Sequence, residues 1–523
     1  MEELLLLPQL LLKIFITLVV ISLCSLSLHF YIISILNPRK LRSKLIKQGI
    51  RGPAPSSFIY GNIPDMKRIQ SSKFLKTSST AEQNIMNHDY FHKLFSYFEL
   101  WGNEYGPVFT YSTGNVQIIY VSKPEIVKEI SLWTSLDLGK PSFLKRDRGP
   151  LLGQGIFTSN GSLWVHQRKI IAPEFFMEKV KGMMNLMVDS ATNMLKLWES
   201  EVHNEGGVAD IRVDLDLRNF SADIISRACF GSSYIRGKEI FTKLRALQQI
   251  MAIQGLHMGV PGLRHLPTKN NRDLWKLEKE IALLILKVVK ERREAKSEND
   301  LLQMILEGAN SVDSGLDNTD QFIVDNCKNI YFAGHETTAT SASWILVLLA
   351  ASPEWQSRVR AEVENICAGS LPDFSMLRKM KTLTMVIHEA LRLYPPAAFL
   401  TREAFQDITI SDMQVPKGTN IWIPIIKLHQ DPKIWGPDAH EFNPDRFSRG
   451  IAGACKAPQA YVPFGIGPRT CLGQNFAMVE LKILMCLILS KFSFTISPKY
   501  RHSPAFRLVI EPEHGVDLVI KRT

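Results

Sequence analysis

A single cysteine in a glycine-bounded loop constrains this chain of 523 residues more than any other feature. Residues 461–473 read YVPFGIGPRTCLG, and Cys471 stands just before apolar residues that recur every three or four positions. That spacing predicts a helix over 474–491, whose first peptide dipoles and free N–H groups would stabilise a Cys471 thiolate. Glycines at 465, 467 and 473 permit a tight loop and let a flat ligand approach the backbone. An exposed loop with a stray cysteine is the alternative interpretation.

A pair of small residues lies in the middle of the long helical pattern 322–350. Ala333 and Gly334 begin the segment AGHETT. Glycine in mid-helix costs about 1 kcal/mol relative to alanine, so its presence needs a reason. The hydroxyl group of Thr337 can donate to the carbonyl oxygen of Ala333, which would loosen the helix at this point. A packing notch between two helices would explain the same residues.

Two further pairs of side chains stand at helical spacing. Glu389 and Arg392 lie on an amphipathic pattern that Pro395 stops, and alone they could be a surface ion pair that contributes a few tenths of a kcal/mol. Trp164 and Arg168 lie four residues apart, which places an indole N–H group and a guanidinium group on one helix face. Neither pair is specific by itself.

In their order along the chain, these segments resemble those of the cytochrome P-450 superfamily. The cysteine loop matches the haem-binding pattern F-x-x-G-x-R-x-C-x-G, and AGHETT matches the oxygen-activation pattern A/G-G-x-D/E-T-T/S. The two helical pairs match E-x-x-R and W-x-x-x-R, and PDRF at 444–447 matches P-x-R-F. The resemblance covers nearly the whole chain. It implies a mainly α fold, with a large helical domain and small β-sheets, and haem (iron protoporphyrin IX) as the cofactor.

The resemblance also implies how the haem is held. Cys471 would be the axial thiolate of the iron, and a thiolate pushes electron density onto the metal and favours O–O cleavage. The two haem propionates would need cations beside them, because buried carboxylates need partners. The residues expected to bind the haem are Trp164, Arg168, Arg402, Phe464, Arg469 and Cys471.

By the same resemblance Thr337 and Glu336 would be the catalytic residues. The small side chains of Ala333 and Gly334 would leave space for O₂ beside the iron, and Glu336 would supply an acid linked to solvent. Three charged residues are expected to lock the core behind the haem in a structural role: Glu389, Arg392 and Arg446.

Residues 1–51 are expected to form a membrane anchor and its basic flank. An uncharged, mostly apolar stretch of about 23 residues runs over 14–36, and as a helix it would cross a hydrocarbon core of about 30 Å. Basic residues follow it, so the positive-inside rule leaves the rest of the chain in the cytosol. GPAP at 52–55 is expected to break the helix, and the haem-thiolate catalytic domain would cover 52–523. The expected location is the endoplasmic reticulum membrane, with a single span; a buried core helix is the alternative.

Three classes of function fit a haem-thiolate protein. A monooxygenase takes electrons from a partner, binds O₂ and inserts one oxygen atom into its substrate. A hydroperoxide isomerase or dehydratase has no need of the Glu336–Thr337 pair, and a non-catalytic haem sensor has little use for it, so the pair favours the monooxygenase. No G-x-G-x-x-G segment opens a βαβ unit, so electrons from NADPH would arrive through a separate NADPH–cytochrome reductase. The net charge of +11 suits an acidic partner or a membrane, and no compact basic run indicates nucleic acid.

Several stretches, among them 155–164 and 325–334, resemble the plant clan that oxidises isoprenoids and hormones. Within it the chain is most similar to gibberellin-modifying enzymes and kaurenoic-acid 13-hydroxylases. The expected substrate is therefore a lipophilic diterpenoid, with a pentacyclic triterpenoid acid as the alternative. The segment 240–270 is expected in the roof of the distal cavity. Arg146 and Arg148 would either pair with a substrate carboxylate or form a solvated surface pair.

Helical periodicity dominates the rest of the sequence. It predicts helices over 176–200, 276–296, 322–350, 353–367 and 474–491. Strand-like runs are fewer and lie at 116–121, 408–410 and 516–520. The polar segments 70–90 and 308–320 are expected to be a loop and a break between helices.

Overall fold

The computed structural model describes residues 2–77, 86–231, 234–255, 258–294, 300–310 and 318–523. Helices form most of this structure, as the periodicity predicts. The α-helices are α1 (Glu2–Tyr31), α2 (Asn37–Lys47), α3 (Ile63–Thr77), α4 (Phe91–Leu94), α5 (Ser96–Tyr105), α6 (Pro124–Leu132), α7 (Ser142–Leu152), α8 (Gly161–Ile171), α9 (Met177–Gly182), α10 (Met184–Asn204), α11 (Val213–Phe230), α12 (Tyr234–Gln254), α13 (Lys269–Glu294), α14 (Leu301–Asn310), α15 (Thr319–Ala351), α16 (Pro353–Cys367), α17 (Phe374–Lys379), α18 (Lys381–Leu393), α19 (Ile425–His429), α20 (Pro432–Trp435) and α21 (Gln474–Leu489). A π-helical turn, Ile32–Leu36, joins α1 to α2. Short 3₁₀ turns lie at Ala172–Phe175, Leu263–His265, Pro444–Arg449, Ile451–Gly453, Pro458–Ala460 and Gly467–Arg469.

The β-structure is small. Its strands are β1 (Val108–Thr113), β2 (Val116–Val121), β3 (Leu138–Gly139), β4 (Val208–Arg212), β5 (Phe399–Ala404), β6 (Ile408–Ile410), β7 (Met413–Val415), β8 (Asn420–Pro424), β9 (Phe492–Ile496), β10 (Pro504–Phe506), β11 (Ile510–Pro512) and β12 (Asp517–Arg522). The largest sheet has the order β1-β2-β8-β5-β3, in which only β2 and β8 are parallel neighbours. A second sheet has the order β4-β12-β9, and the pairs β6–β7 and β10–β11 are separate. The predicted fold class, mainly α with small sheets, is confirmed.

Helix α15 runs through the centre of the body. It begins at an N-cap, Asn318, whose side chain accepts from the backbone N–H of Gln321. Its 33 residues make it about 50 Å long. Most of its side chains are buried, because helices α11, α14, α18 and α21 surround it. Surface that stays exposed in the middle of such a helix, away from its two ends, must therefore face an internal cavity.

Most of the predicted elements are confirmed, with shifted ends. The helix predicted over 176–200 is broken at Met183, and the helix predicted from 276 begins at Lys269. Helix α3 reaches Thr77, so part of the polar segment at 70–90 is helical. Residues 86–90 are neither helix nor strand, and the ends of the other polar segment, 308–310 and 319–320, are helical. Residues 78–85 and 311–317 lie outside the described residues.

The N-terminal helix stands apart from the body over most of its length. The helical stretch Leu10–Lys47 contains a window with a mean hydropathy of 2.4, and none of that window is buried. The predicted span at 14–36 therefore lies on an exposed apolar helix, as in a membrane anchor. The helix ends at Lys47, before the GPAP segment, and Gly49 follows with a left-handed φ of 86°.

Helix α2 packs against the body. Leu45 is fully buried in an apolar cluster that includes Ile119 and Ile421 of the largest sheet. The side chain of Arg42 donates to the carbonyl oxygen atoms of Gly52 and Pro53. Burial of apolar side chains thus begins within the segment expected to be a basic flank.

Deletion of residues 1–36 should release much of the protein from membranes and leave haem incorporation intact. Those residues contribute the exposed apolar helix, whereas Leu45 and Ile50 remain in place. The measurement is the haem content and the membrane-bound fraction after cell fractionation.

Deletion of residues 1–50 is the matched comparison. It removes two buried side chains, Leu45 and Ile50, each of which contributes about 1.5–3 kcal/mol. We expect this shorter protein to have a lower haem content and a lower yield of folded protein. Loss of haem already in the protein that lacks only residues 1–36 would contradict the assignment.

Candidate active site

The cysteine loop closes on itself before α21. The backbone N–H of Cys471 donates to the carbonyl oxygen of Phe464 over 2.8 Å, and α21 begins three residues after the cysteine. Gly467 has a φ of 63°, and a Cβ atom there would lie 2.5 Å from the carbonyl oxygen of Ser131 in α6. A glycine is therefore required at this turn. The predicted arrangement of loop and helix is confirmed.

The side chain of Cys471 is exposed, although the residue lies deep in the protein. Its surface therefore faces an internal cavity. Burial raises the pKa of the thiol, while the backbone N–H of Gly473 and the charge of Arg168 lower it. The helix start alone does not yield a thiolate, contrary to the expectation from the sequence. A cation bound at the sulfur would displace the proton.

A buried ion pair lies behind this loop. The carboxylate of Glu389 accepts two hydrogen bonds from Arg392, over 2.7 and 2.8 Å, and both side chains are completely buried. Arg446 adds a third contact to Glu389 over 3.3 Å. The guanidinium group of Arg392 completes its hydrogen bonds on the backbone carbonyl groups of His429, Ala439 and Glu441. The expected lock of Glu389, Arg392 and Arg446 is present.

His429 connects this ion pair to the cysteine loop. Its Nδ1 lies 3.2 Å from the carbonyl oxygen of Arg392, and its Nε2 accepts from the backbone N–H of Val462 over 2.9 Å. Burial, with the charge of Arg392, lowers the pKa of His429 to about 3. The imidazole is therefore neutral, which lets Nε2 act as an acceptor. No motif in the sequence predicts this role of His429.

Four cationic side chains gather on one side of the cysteine loop. Arg469 donates to the carbonyl oxygen of Ser159 and to the side chain of Asn160, both over 2.8 Å. Arg168 donates to the carbonyl oxygen of Thr470, and Arg402 to that of Ile466, both over 3.3 Å. The fourth cation is Lys140, just after β3.

In the described part of the chain, none of these four cations has a carboxylate within 4.0 Å. Burial, together with mutual repulsion for Arg469, lowers the pKa of Arg402 to about 10 and that of Arg469 to about 9. The pKa of Lys140 falls well below its usual value, first through burial and then through Arg402 and Arg469. Such a cluster needs anions from outside the chain.

Trp164 lies between two of the cations. The guanidinium carbon of Arg469 is 4.0 Å from the centre of its ring, and that of Arg168 is 5.6 Å away. The indole ring is nearly buried. Cation–π contacts of this kind fix the directions of both arginines.

Sequence reasoning missed Lys140 and Asn160. The side-chain oxygen of Asn160 accepts from the backbone N–H of Lys140 over 2.7 Å and from Arg469 over 2.8 Å. Neither residue belongs to a helical motif, because both lie in connecting segments outside the helices and strands. The only signal was the nearness of Asn160 to the W-x-x-x-R pair.

Helix α15 has an accessible surface at Ala333 and Thr337. Ala333 is exposed in the middle of this mostly buried helix, and Thr337 is half-buried. The hydroxyl group of Thr337 donates to the carbonyl oxygen of Ala333 over 2.6 Å, as predicted. Gly334 instead faces α11: a Cβ atom there would lie 2.4 Å from the side chain of Ile225. Gly334 thus serves helix packing, contrary to the expectation that it leaves space for O₂, and Ala333 is the exposed residue of the pair.

Glu336 is not linked directly to solvent, contrary to the expectation. Its side chain is 2% exposed and lies 2.9 Å from Arg245 and 3.8 Å from Arg218. Both arginines also contact the buried carboxylate of Glu511 near the C-terminus. A proton can reach Glu336 only after water or a side chain has moved.

The two arginines that could have paired with a substrate carboxylate, Arg146 and Arg148, already have partners within the chain. Arg146 is exposed and pairs with its neighbour Asp147. Arg148 is buried, and it donates to the carbonyl oxygen atoms of Met251 and Gly255 at the end of α12. Arg148 therefore holds α12 in place, and it is not part of a solvated surface pair.

Comparison with known proteins decides between the interpretations of this site. The family model described as Cytochrome P450 matches residues 82–517. The chain belongs to the cytochrome P450 family. It is a haem-dependent monooxygenase of that family, whose members in general receive electrons from NADPH through a reductase.

Similar curated proteins come from plants. Cytochrome P450 714C2 of Oryza sativa subsp. japonica is 55% identical, over 94% of this chain and 95% of the relative. Cytochrome P450 714B3 of Zea mays is 49% identical, over 98% of this chain and 96% of the relative. Cytochrome P450 714A2 of Arabidopsis thaliana is 47% identical, over 95% of this chain and 96% of the relative. The predicted resemblance to plant cytochromes P450 is confirmed.

The residues present fit a haem. The exposed Cys471 sulfur offers an iron ligand, and the four cations without acidic partners suit two propionates. The half-exposed Phe464 beside the loop offers an aromatic surface to a flat ring.

Replacement of Lys140 by Met should stabilise the haem-free protein but weaken haem binding. The haem-free protein should be stabilised against unfolding, because one cation leaves a repulsive cluster. The haem-loaded protein should lose one charged hydrogen bond worth about 1.5–3 kcal/mol, so haem should transfer to apomyoglobin roughly 10-fold faster or more.

Lys145→Met is the control, because Lys145 is an exposed lysine of the neighbouring helix α7. It should change neither the thermal unfolding of the haem-free protein nor the rate of haem transfer. If Lys140→Met left haem transfer unchanged, Lys140 would not face a propionate.

Proposed function

We propose that this monooxygenase inserts one oxygen atom into a diterpenoid of the gibberellin or kaurenoic-acid type, by hydroxylation or epoxidation. The observation that carries the chemistry is the accessible surface of Ala333 and Thr337 in the middle of a helix whose other side chains are mostly buried. The haem, when bound, would supply the iron at which O₂ is activated. The chain itself supplies the Cys471 ligand, the cations for the propionates and a hydroxyl group at the cavity wall.

Thr337 and Glu336 are the proposed proton-handling residues. The hydroxyl group of Thr337 is held at the cavity wall by the carbonyl oxygen of Ala333. Within the described residues the Oε1 atom of Glu336 makes no hydrogen bond, although it lies 3.5 Å from Nδ1 of His335 and the Oε2 atom is paired with Arg245. The Oε1 atom can accept a proton from entering water and pass it towards Thr337. General acid–base help of this kind contributes about 10²- to 10⁴-fold.

The diterpenoid substrate is supported by the stretches that resemble the hormone-oxidising plant clan. Two of them lie in contact. The backbone N–H groups of Ile156 and Phe157 donate to the side chains of Asn326 and Asn329, over 3.0 and 2.9 Å. These contacts fix the loop before α8 against α15, near the exposed Ala333. A pentacyclic triterpenoid acid is the alternative substrate.

Membrane-bound NADPH–cytochrome reductase is the proposed electron donor, at the cytosolic side of the endoplasmic reticulum. The exposed apolar helix supports an anchor, and the basic residues between Arg39 and Arg51 support a cytosolic body. The net charge of +11 favours a donor with an acidic face.

Microsomes that contain the protein and its reductase, supplied separately with a gibberellin and a triterpenoid acid, test the substrate. We expect an oxygenated gibberellin that requires both NADPH and O₂. Oxygenation of the triterpenoid acid alone would establish the alternative. Turnover of a hydroperoxide without NADPH would overturn the monooxygenase assignment.

Replacement of Thr337 by Ala should uncouple NADPH oxidation from product formation. Substrate binding and electron uptake should persist, while the product formed per NADPH falls at least about 10-fold and peroxide accumulates. Thr337→Ser keeps a hydroxyl group and should retain most of the coupling.

Thr340→Val is the matched control on the same helix. The hydroxyl group of Thr340 is buried, and within the described chain it has no hydrogen-bond partner. This variant should keep the wild-type ratio of product to NADPH. A Thr337→Ala protein with that same ratio would exclude the proposed role.

A further inference from the structure

Three fully buried aromatic rings form a stack that leads away from the cavity. Trp344 of α15 and Tyr394, directly after α18, have ring centres 4.0 Å apart and planes at 10°. Tyr394 and Tyr90 follow, with centres 5.2 Å apart and planes at 1°. Packing alone favours offset or edge-to-face pairs, and it does not require three parallel rings in a row.

The stack begins near the proposed oxygen site. Trp344 lies seven residues after Thr337, which is about two helical turns. It therefore shares a side of α15 with Thr337 and lies about 10 Å farther along the helix. The indole N–H of Trp344 donates to the carbonyl oxygen of Ile510 over 2.8 Å, which fixes the ring.

The hydroxyl group of Tyr394 has two imidazole partners. Its oxygen lies 2.5 Å from Nδ1 of His88 and 3.1 Å from Nε2 of His502. Tyr90, by contrast, donates to a backbone carbonyl, that of Leu393. An amide carbonyl cannot take up the phenolic proton at neutral pH, whereas a neutral imidazole can.

Both imidazoles are neutral at physiological pH. Burial, followed by repulsion from His502, Arg392 and His440, lowers the pKa of His88 to about 3. Burial lowers the pKa of His502 to about 4. Each ring therefore has one unprotonated nitrogen, and the shorter contact makes His88 the nearer proton acceptor for Tyr394.

We propose that Tyr394, with His88 as its proton acceptor and Trp344 as a relay, is a redox-active site that reduces the oxidised haem when no substrate is available. The inference depends on haem binding, and it does not depend on which substrate the enzyme oxidises. When no substrate is present to be oxidised, the site protects the haem and the residues of the cavity from oxidation.

A hydroperoxide or peroxyacid takes two electrons from the haem-loaded protein and two protons from solvent, its O–O bond breaks, and it leaves as an alcohol or carboxylic acid and one water molecule. One electron then passes from Tyr394 through Trp344 to the haem, and the phenolic proton moves to Nδ1 of His88. A neutral tyrosyl radical and an imidazolium ion remain. A small thiol or ascorbate returns one electron to the tyrosine, the proton returns from His88, and a second reductant molecule supplies the other electron.

The test uses the full-length, haem-loaded protein without substrate. It is mixed with peracetic acid, frozen within milliseconds and examined by electron paramagnetic resonance. We expect a tyrosyl radical whose spectrum narrows when the protein contains ring-deuterated tyrosine. Tyr394→Phe keeps the stacked ring, but it should lower the radical yield at least fivefold. Bleaching of the haem band should become at least twofold faster.

Two further variants test whether Trp344 acts as the relay and His88 as the proton acceptor, and they distinguish these roles from a general loss of stability. Trp344→Phe and His88→Gln should each lower the radical yield while haem content stays at the wild-type level. Tyr331→Phe is the control, because Tyr331 is also buried on α15 and packs on Phe230 and Phe241. It should leave yield and bleaching unchanged.

Three results would overturn the proposal. The first is a wild-type protein that forms no tyrosyl radical. The second is a Tyr394→Phe protein with the wild-type radical yield. The third is an equal loss of radical in Tyr331→Phe. If Tyr394→Phe failed to bind haem, the decision would rest on Trp344→Phe and His88→Gln, and unchanged yields in both would refute the site.

Discussion

The ion pair between Glu389 and Arg392 is the interaction on which the position of the cysteine loop depends. Burying two charges costs several kcal/mol per ion, and removal of one partner typically costs about 3–5 kcal/mol. Here the cost is offset by paired hydrogen bonds, by Arg446 and by three backbone carbonyl groups. His429 extends this network to the backbone of Val462, so that a rigid core determines where Cys471 lies.

Charge complementarity then links folding to the cofactor. Arg168, Arg402, Arg469 and Lys140 repel one another in the haem-free protein, and burial weakens their charged forms further. A ligand with two carboxylates removes both the repulsion between the cations and the cost of burying them unpaired. The thiol of Cys471 likewise has a raised pKa that a metal ion would lower. The site is therefore less stable in the haem-free protein than in the haem-loaded protein. This difference in free energy favours haem binding.

Short-range patterns predicted much of this structure. The loop before α21, the Thr337–Ala333 hydrogen bond and the Glu389–Arg392 pair all connect residues within a few positions, so spacing was enough. Interactions between distant segments could not be predicted. Gly334 packs on Ile225, Glu336 forms an ion pair with Arg245, and Lys140 lies close enough to Arg469 for their charges to repel. Local periodicity cannot predict partners from such distant segments. The burial of Leu45 was missed for the same reason, because its neighbours lie in distant strands.

The absorption spectrum of the reduced, carbon-monoxide-bound protein tests the central claim most directly, because that claim is thiolate ligation by Cys471. The wild type should show the red-shifted Soret band of thiolate ligation. Cys471→His should still fold and bind haem, but without that band. Four of the other six cysteines are buried and unavailable as ligands: Cys229, Cys327, Cys367 and Cys486. A thiolate-type band and wild-type turnover in Cys471→His would contradict the account, because another cysteine would then be the ligand.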